Sequence, residues 1–275
     1  MKTLYSSVIK LTNQHPVTLS HIGGQHAHAA FLDILREVDP ALSQKVHDLN
    51  GRKPFTVSPV MGLPKHMDSE VWLRSGWECW LRVTMLDDAL FNPFIKYFMN
   101  LDNKKLPEIR LGDARFLVSE ILTTPGSHPW AGYTTLEELQ KRLDQPAPSS
   151  ISFELHSPTS FKLDGKDFEV IPYSKMVFGN LATAWKALTG ENMVEAVEKY
   201  AEKNWRPLLH RVERKALTLH NHPQVGAVGK VEYQNMNQDD APLARAMNLL
   251  ADLAFYAGLG RKTTQGMGMC SRVTA

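Results

Sequence analysis

Tyr256-Ala-Gly-Leu-Gly-Arg-Lys-Thr-Thr-Gln-Gly-Met-Gly-Met-Cys-Ser-Arg-Val273 decides how the rest of this 275-residue chain is read. Gly258, Gly260, Gly266 and Gly268 bracket the basic pair Arg261 and Lys262, so backbone amides can approach an anion closely while two cations face it. The pattern points to a phosphate-binding loop, with a flexible turn as the plain alternative. It is not a nucleotide-hydrolysing P-loop. Neither Gly258-Leu-Gly-Arg-Lys-Thr nor Gly226-Ala-Val-Gly-Lys-Val has the glycine spacing that motif requires, and this loop follows a helix instead of opening one. The dinucleotide fingerprint is missed as well, because no strand precedes the glycines and no βαβ unit follows.

Working outward, Leu243, Met247, Leu250, Leu253, Ala254 and Ala257 recur at helical spacing. Asp239 or Asp240 can cap that helix, Pro242 suits its first turn, and Gly258 stops it. After the loop, Met267 to Val273 has room for one strand. Further back, Ile151 to Leu155 reads as a strand, and Phe161 to Ile171 as a hairpin through Asp164-Gly165. Met176 to Leu188 and Met193 to Trp205 read as helices, with His210 to Leu219 and Ala227 to Tyr233 as strands.

The first half carries the same order of elements. Leu4 to Leu11 suits a strand, and Gln25 to Val38 a helix with Ala29, Phe31, Leu32, Leu35 and Val38 on one face. Asp39-Pro40 starts a second helix ending near Gly51. Lys53 to Val60 is β-like but confined by Pro54 and Pro59 to an edge. Glu78 to Leu86 and Ala114 to Leu122 alternate as strands, with helical turns over Pro93 to Met99. Thr135 to Leu143 is a short amphipathic helix. Asp-Gln-Pro-Ala-Pro-Ser-Ser from 144 to 150 is the best linker. The expected class is α+β: two tandem ferredoxin-like (RRM-like) domains, over 1–145 and 146–275, the second ending in the glycine-rich loop.

Composition bounds the function without choosing it. Hydrophobic residues make up 43% and charged ones 22%, the profile of a folded chain. A net charge of only +2 means that any nucleic-acid surface must come from clustering. Cys79 and Cys270 lie far apart without a metal-ligand pattern and fit a reducing compartment. No run approaches eighteen apolar residues and no leader-like segment opens the chain, so neither secretion nor membrane spanning is expected.

Several residues carry chemistry. His26 and His28 stand at the entry of the first helix. Two positions apart there, their side chains point about 200° from each other, which disfavours a shared metal and favours a single acid or base. His28 is preferred because Ala29, Ala30 and Phe31 can fix its ring. Arg206, His210, Arg211, Arg214 and Lys215 gather within ten residues, and on a strand alternate members can line a backbone-binding groove or form a solvated face. Tyr256 is either a core residue or presents its hydroxyl to a bound phosphate.

Together these stretches make a recognisable whole. His28-Ala-Ala-Phe-Leu-Asp-Ile-Leu-Arg36 with Asp39-Pro40 and His47, Lys53-Pro-Phe-Thr-Val-Ser-Pro-Val60, Pro158-Thr-Ser-Phe161, Val177-Phe-Gly-Asn-Leu-Ala-Thr-Ala-Trp185 and Gly258-Leu-Gly-Arg-Lys-Thr-Thr-Gln-Gly-Met-Gly268 follow one another in order. In this, nearly the whole chain resembles the CRISPR-associated endoribonucleases that cut precursor CRISPR RNA within its repeats, members of the repeat-associated mysterious protein (RAMP) superfamily. The resemblance implies two ferredoxin-like domains, a basic surface for repeat RNA, and cleavage with no metal or other cofactor. Its catalytic histidine falls on His28, with His26 as fallback, and its variable second group on Tyr256 or Lys262. Gly258, Gly260, Arg261, Lys262, Gly266 and Gly268, with Arg211, Arg214 and Lys215, are the expected RNA-binding residues.

The expected reaction is attack of a 2′-hydroxyl on the adjacent phosphodiester, giving a 2′,3′-cyclic phosphate, a 5′-hydroxyl and mature CRISPR RNA. The expected partner is precursor CRISPR RNA, with a CRISPR effector complex and a second copy of the chain as further candidates. The expected location is a prokaryotic cytoplasm. The alternative from another class is a non-catalytic RNA-binding subunit of an effector complex. A third reading, a metal enzyme built on His26 and His28, requires bound zinc.

Overall fold

A computed structural model describes residues 2–20, 24–64, 70–99, 107–163, 168–219, 222–237 and 242–273. The first half runs β1 (Thr3–Thr12), β2 (Val17–Ser20), α1 (Gly24–Val38), α2 (Pro40–Asp48), β3 (Phe55–Val57), β4 (Glu70–Leu73) and β5 (Glu78–Met85). It continues with α3 (Asp88–Met99), β6 (Glu108–Leu111), β7 (Ala114–Leu122), β8 (Gly132–Thr135) and α4 (Leu136–Gln140). Its antiparallel sheet has the order β3-β5-β1-β7-β6, with β8 beside one end of β1.

Alternation along β5 explains how this sheet is used. Cys79, Leu81, Val83 and Met85 face α1 and α3, packing with Phe31, Leu35 and Phe94. Arg82 and Thr84 therefore face the other way, toward the second domain.

Local signals fixed several boundaries. Asp39 caps α2 by accepting from the Leu42 amide at 2.9 Å, with Pro40 in the first turn. Lys53 to Val60 contributes only β3, and β3 is an edge strand, as its prolines require. The helix expected from Pro93 instead starts at Asp88, with Pro93 inside it. Burial of Leu90 and Phe94 outweighs the backbone hydrogen bond that the proline cannot make.

The second half runs β9 (Ser150–Thr159), β10 (Phe161–Lys162), β11 (Phe168–Glu169), α5 (Ser174–Thr189), α6 (Val194–Asn204), β12 (Trp205–Leu219), β13 (His222–Asn235), α7 (Pro242–Ala257) and β14 (Cys270–Val273). The sheet order is β12-β13-β9-β14, all antiparallel. Each half is thus a ferredoxin-like domain. β12 and β13 form a longer hairpin than periodicity suggested, and β14 starts only at Cys270, leaving Met267 to Met269 in the loop. The expected turn at Asp164-Gly165 and the caps at Asp239 and Asp240 lie outside the described residues.

The second core includes Phe153, Leu155, Phe178, Trp185, Val231, Leu250, Leu253 and Ala254, and Leu4, Leu86 and Leu139 of the first half join it. The two halves therefore share packing. We propose residue 145 as the end of the first domain, in the extended segment that separates the turn after α4 from β9. Among the described residues, no helix is long and apolar enough to cross a membrane.

Candidate active site at the junction of the domains

His28 lies in the second turn of α1, and its ring is partly exposed. Nδ1 sits 2.8 Å from the carbonyl oxygen of Thr264, and the ring leans on Phe55 with centroids 5.4 Å apart. A carbonyl oxygen can only accept, so Nδ1 carries a proton and donates it, and in the neutral ring Nε2 then holds the lone pair. The imidazole is thus held in one tautomer and one orientation by a residue of the opposite domain.

The start of α1 and the loop are in direct contact. A Cβ on Gly24 would lie 2.3 Å from the Gln265 carbonyl carbon and from the Gly266 nitrogen, so only glycine permits this approach. His26 is turned elsewhere, with its ring packed on Gly112 in the turn between β6 and β7. The two histidines face different elements, which removes the shared-metal reading built on them. Among the described residues, no three His, Cys, Asp or Glu side chains converge on a common point.

The glycine-rich loop is a packed hairpin, with Gly258, Gly260, Gly266 and Gly268 all buried. The Gly258 amide donates to the Ala254 carbonyl at 2.9 Å, Gly260 to Asn180 Oδ1 at 3.0 Å, and Gly268 to the Pro158 carbonyl at 3.1 Å. This corrects the reading of those three glycines as amides open to phosphate. A Cβ on Gly260 would sit 2.3 Å from the Ser160 carbonyl oxygen, so glycine here serves close packing. The plain alternative of a flexible turn fails for the same reason.

Arg261 and Lys262 separate. The Arg261 amide donates to the Ser160 carbonyl, and its guanidinium bonds Gln224 on β13 and lies 4.6 Å from the Phe168 ring centroid. Lys262 has φ +54°, making it the single non-glycine residue with positive φ among the described residues. Its carbonyl accepts from the Gln265 and Met267 amides at 2.9 and 3.3 Å, which closes the tip of the loop. Burial, and then the charge of Arg261, pull the Lys262 ammonium below the usual lysine range.

Tyr256 is placed differently from its reading as a catalytic candidate. It is 9% exposed, and its hydroxyl faces Gly132 on β8, while His28 faces Thr264 and Phe55. Burial pushes its pKa up to about 12, with Arg82 opposing and Asp252 adding to the rise. It is a core residue because α7 turns this side chain into the domain junction.

Arg211, Arg214 and Lys215 are exposed on β12, but strand alternation divides them. Arg211 and Lys215 share one face with Glu213, which pairs with Lys215 at 2.7 Å, while Arg214 lies on the other face. Farther along the Arg211 face, Leu217 and Leu219 pack on Met267 of the loop.

Thr264, Phe55 and Asn180 were not singled out from the sequence as site residues. Thr264 acts through a backbone carbonyl, which no residue type advertises. Asn180, a polar residue in the apolar helix stretch Val177 to Leu188, was the one visible signal.

Two ferredoxin-like domains in tandem are the architecture of the RAMP class. Residues 3–141 match the sequence profile of the CRISPR Cas6 N-terminal domain, and residues 153–270 match that of the CRISPR-associated endoribonuclease Cas6. The chain belongs to the Cas6 family of CRISPR-associated endoribonucleases.

Solved structures agree with this placement. A Cas6 product complex is 26% identical with TM-score 0.81, covering 99% of this chain and 100% of that one. Cas6 of Thermus thermophilus is 23% identical with TM-score 0.75, covering 99% of each chain. A Cas6-related protein from Pyrococcus furiosus shares the fold at 12% identity and TM-score 0.59, again covering 99% of each. No curated protein matches the sequence.

Proposed function

We propose that this protein cuts CRISPR repeat RNA by attack of a 2′-hydroxyl on the adjacent phosphodiester, without a metal, to generate mature CRISPR RNA. The observation that carries this is the hydrogen bond from His28 Nδ1 to the Thr264 carbonyl, because with that nitrogen protonated the basic lone pair of the neutral ring is on Nε2. Nε2 accepts the 2′-hydroxyl proton as the 2′-oxygen bonds to phosphorus, and the Thr264 carbonyl supports the imidazolium that forms. The bond from phosphorus to the 5′-oxygen breaks, yielding a 2′,3′-cyclic phosphate and a 5′-hydroxyl. Lys262, two residues from Thr264, supplies positive charge to the phosphorane and a proton to the departing oxygen. Its lowered pKa suits that second role. Arg261, Arg211 and Lys215 line the same side of the second domain and bind the backbone. The glycines act by shaping the loop.

Repeat RNA incubated in excess EDTA should still be cut to a 2′,3′-cyclic end, and a 2′-deoxy residue at the cut site should block it. Full dependence on magnesium would overturn the mechanism. Tight repeat binding with no product would assign the protein instead as a scaffold subunit. We place the activity in the cytoplasm, where repeat transcripts arise. Product retention in an effector complex and pairing of two copies are partner proposals that gel filtration with bound product reads directly.

A further inference from the structure

The first domain caps the helix that delivers the loop. The last carbonyls of α7 have no partners within the helix. Arg52 Nη2 donates to the Ala257 carbonyl at 2.6 Å and reaches that of Gly258 at 3.4 Å. Thr84 Oγ1 donates to the Tyr256 carbonyl at 2.7 Å, and Arg82 Nη2 to the Phe255 carbonyl. All three donors come from β5 or the segment leading into β3.

Arg82 is 3% exposed, and its charge is accommodated in an unusual way. Its guanidinium lies 4.7 Å from the Trp130 ring centroid and 4.2 Å from that of Phe255, while Nε donates to Ser6 Oγ at 2.8 Å. The negative end of the α7 dipole and two aromatic faces balance the cation. Burial pulls its pKa down to about 9 and that of Arg52 to about 10, and both remain charged at neutral pH.

The contacts close a ring. Arg52 stands three residues before Phe55, which touches His28, and Thr84 Oγ1 lies 2.7 Å from Thr56 Oγ1 on the same strand as Phe55. From the capped end of α7 the chain passes directly through Gly258 to Thr264, which returns to His28. We infer that Arg52 and Arg82 are positioning residues for RNA cleavage, holding the Thr264 carbonyl in register with His28 Nδ1 by capping α7 from the other domain. The inference rests on the mechanism proposed above for His28.

The test compares Arg52→Met, Arg82→Met and Arg82→Lys with Arg142→Met. The last variant removes a different contact between the domains, the Arg142 to Asp252 pair at 2.5 Å, one turn back from the capped end. Three quantities are measured: single-turnover cleavage, half-saturation by repeat RNA, and the tautomer of His28 in long-range 1H–15N spectra without RNA.

Each Met variant should cleave about 100-fold more slowly, since misplacement by 1 Å carries a penalty of that order. Half-saturation should move less than about threefold, and His28 should lose its single Nδ1–H tautomer. Arg82→Lys should recover part of the rate, and Arg142→Met should match the unaltered chain. Cleavage within about twofold for both Met variants with the tautomer unchanged overturns the inference, as does an equal loss in Arg142→Met. Should Arg82→Met fail to fold, Arg52→Met decides alone, because Arg52 is only partly buried. Should the unaltered chain cut no RNA, the functional reading fails, and the His28 tautomer in the two Met variants still decides whether the cap sets the geometry.

Discussion

The imidazole Nδ1 of His28 lies 2.8 Å from the carbonyl oxygen of Thr264, across 236 residues of sequence and the junction of two domains. The contact ties the loop of the second domain to the first helix of the first, and the loop carbonyl sets which ring nitrogen carries the proton.

Replacing His28 by Ala should lower single-turnover cleavage by about 10²- to 10⁴-fold, the usual range for losing a general base. Repeat binding should barely change, because the ring is one small part of the interface. His26→Ala should cut at nearly the normal rate, since that ring packs on Gly112. The reverse ranking in a gel-based cleavage assay would move the catalytic role to His26.

Lys262 separates charge from backbone strain. Left-handed φ disfavours an L-residue by about 1–2 kcal/mol, and glycine adopts it freely while losing more chain entropy on folding. Lys262→Gly should therefore leave thermal stability unchanged or raise it by up to about 1 kcal/mol. Cleavage should drop about 100-fold, the scale of removing one electrostatic donor from a transition state. Lys262→Arg should retain much of the rate. An active Lys262→Gly would show that the backbone of this position matters and its ammonium does not.

Tyr256→Phe should cleave within about twofold of the unaltered chain, because the hydroxyl faces Gly132. Tyr256→Ala should destabilise by about 3–5 kcal/mol through the cavity it leaves. A slow but fully stable Tyr256→Phe, measured by cleavage and thermal unfolding together, would restore the tyrosine as the second catalytic group.

At Gly260, φ is +81° and the place of a Cβ is 2.3 Å from a backbone oxygen that cannot retreat cheaply. Gly260→Ala should lower stability by about 2–4 kcal/mol and abolish cleavage along with it. Differential scanning calorimetry reads the first effect. An unchanged melting temperature would mean that the loop relaxes away from Ser160.

On β12, removing Arg211 and Lys215 together should weaken repeat binding and flatten its dependence on salt, by about 0.7 in the log–log slope for each phosphate no longer neutralised. Arg214→Ala, on the opposite face, should leave that slope alone. Titrations at several salt concentrations distinguish the two faces, and a flattening seen only with Arg214→Ala would place RNA on the other side.

Much of the fold was legible in residue spacing. The alternation of Glu78 to Leu86, the apolar stripe of α7 and the helix start at Asp39-Pro40 are local features, and each produced the element its pattern implies. The misses had physical causes too. Pro93 reads as a helix start until Leu90 and Phe94 are seen buried together. Nothing in the spacing of Glu78 to Leu86 marks Arg82, whose face is covered by α7 in the fold.

Residue spacing over a few turns of chain was enough to read two ferredoxin-like domains, a glycine-rich loop at a helix end and a histidine at another helix's start, while the family came from a resemblance carried by ordered stretches from His28 to Gly268. Only tertiary structure decided that the amides of Gly258, Gly260 and Gly268 bond within the protein, that Tyr256 turns inward, and that His28 meets Thr264. Those outcomes depend on where a capped helix end sits against the opposite sheet to within about an ångström, and packing on that scale arises from the summed contacts of residues far apart in the chain.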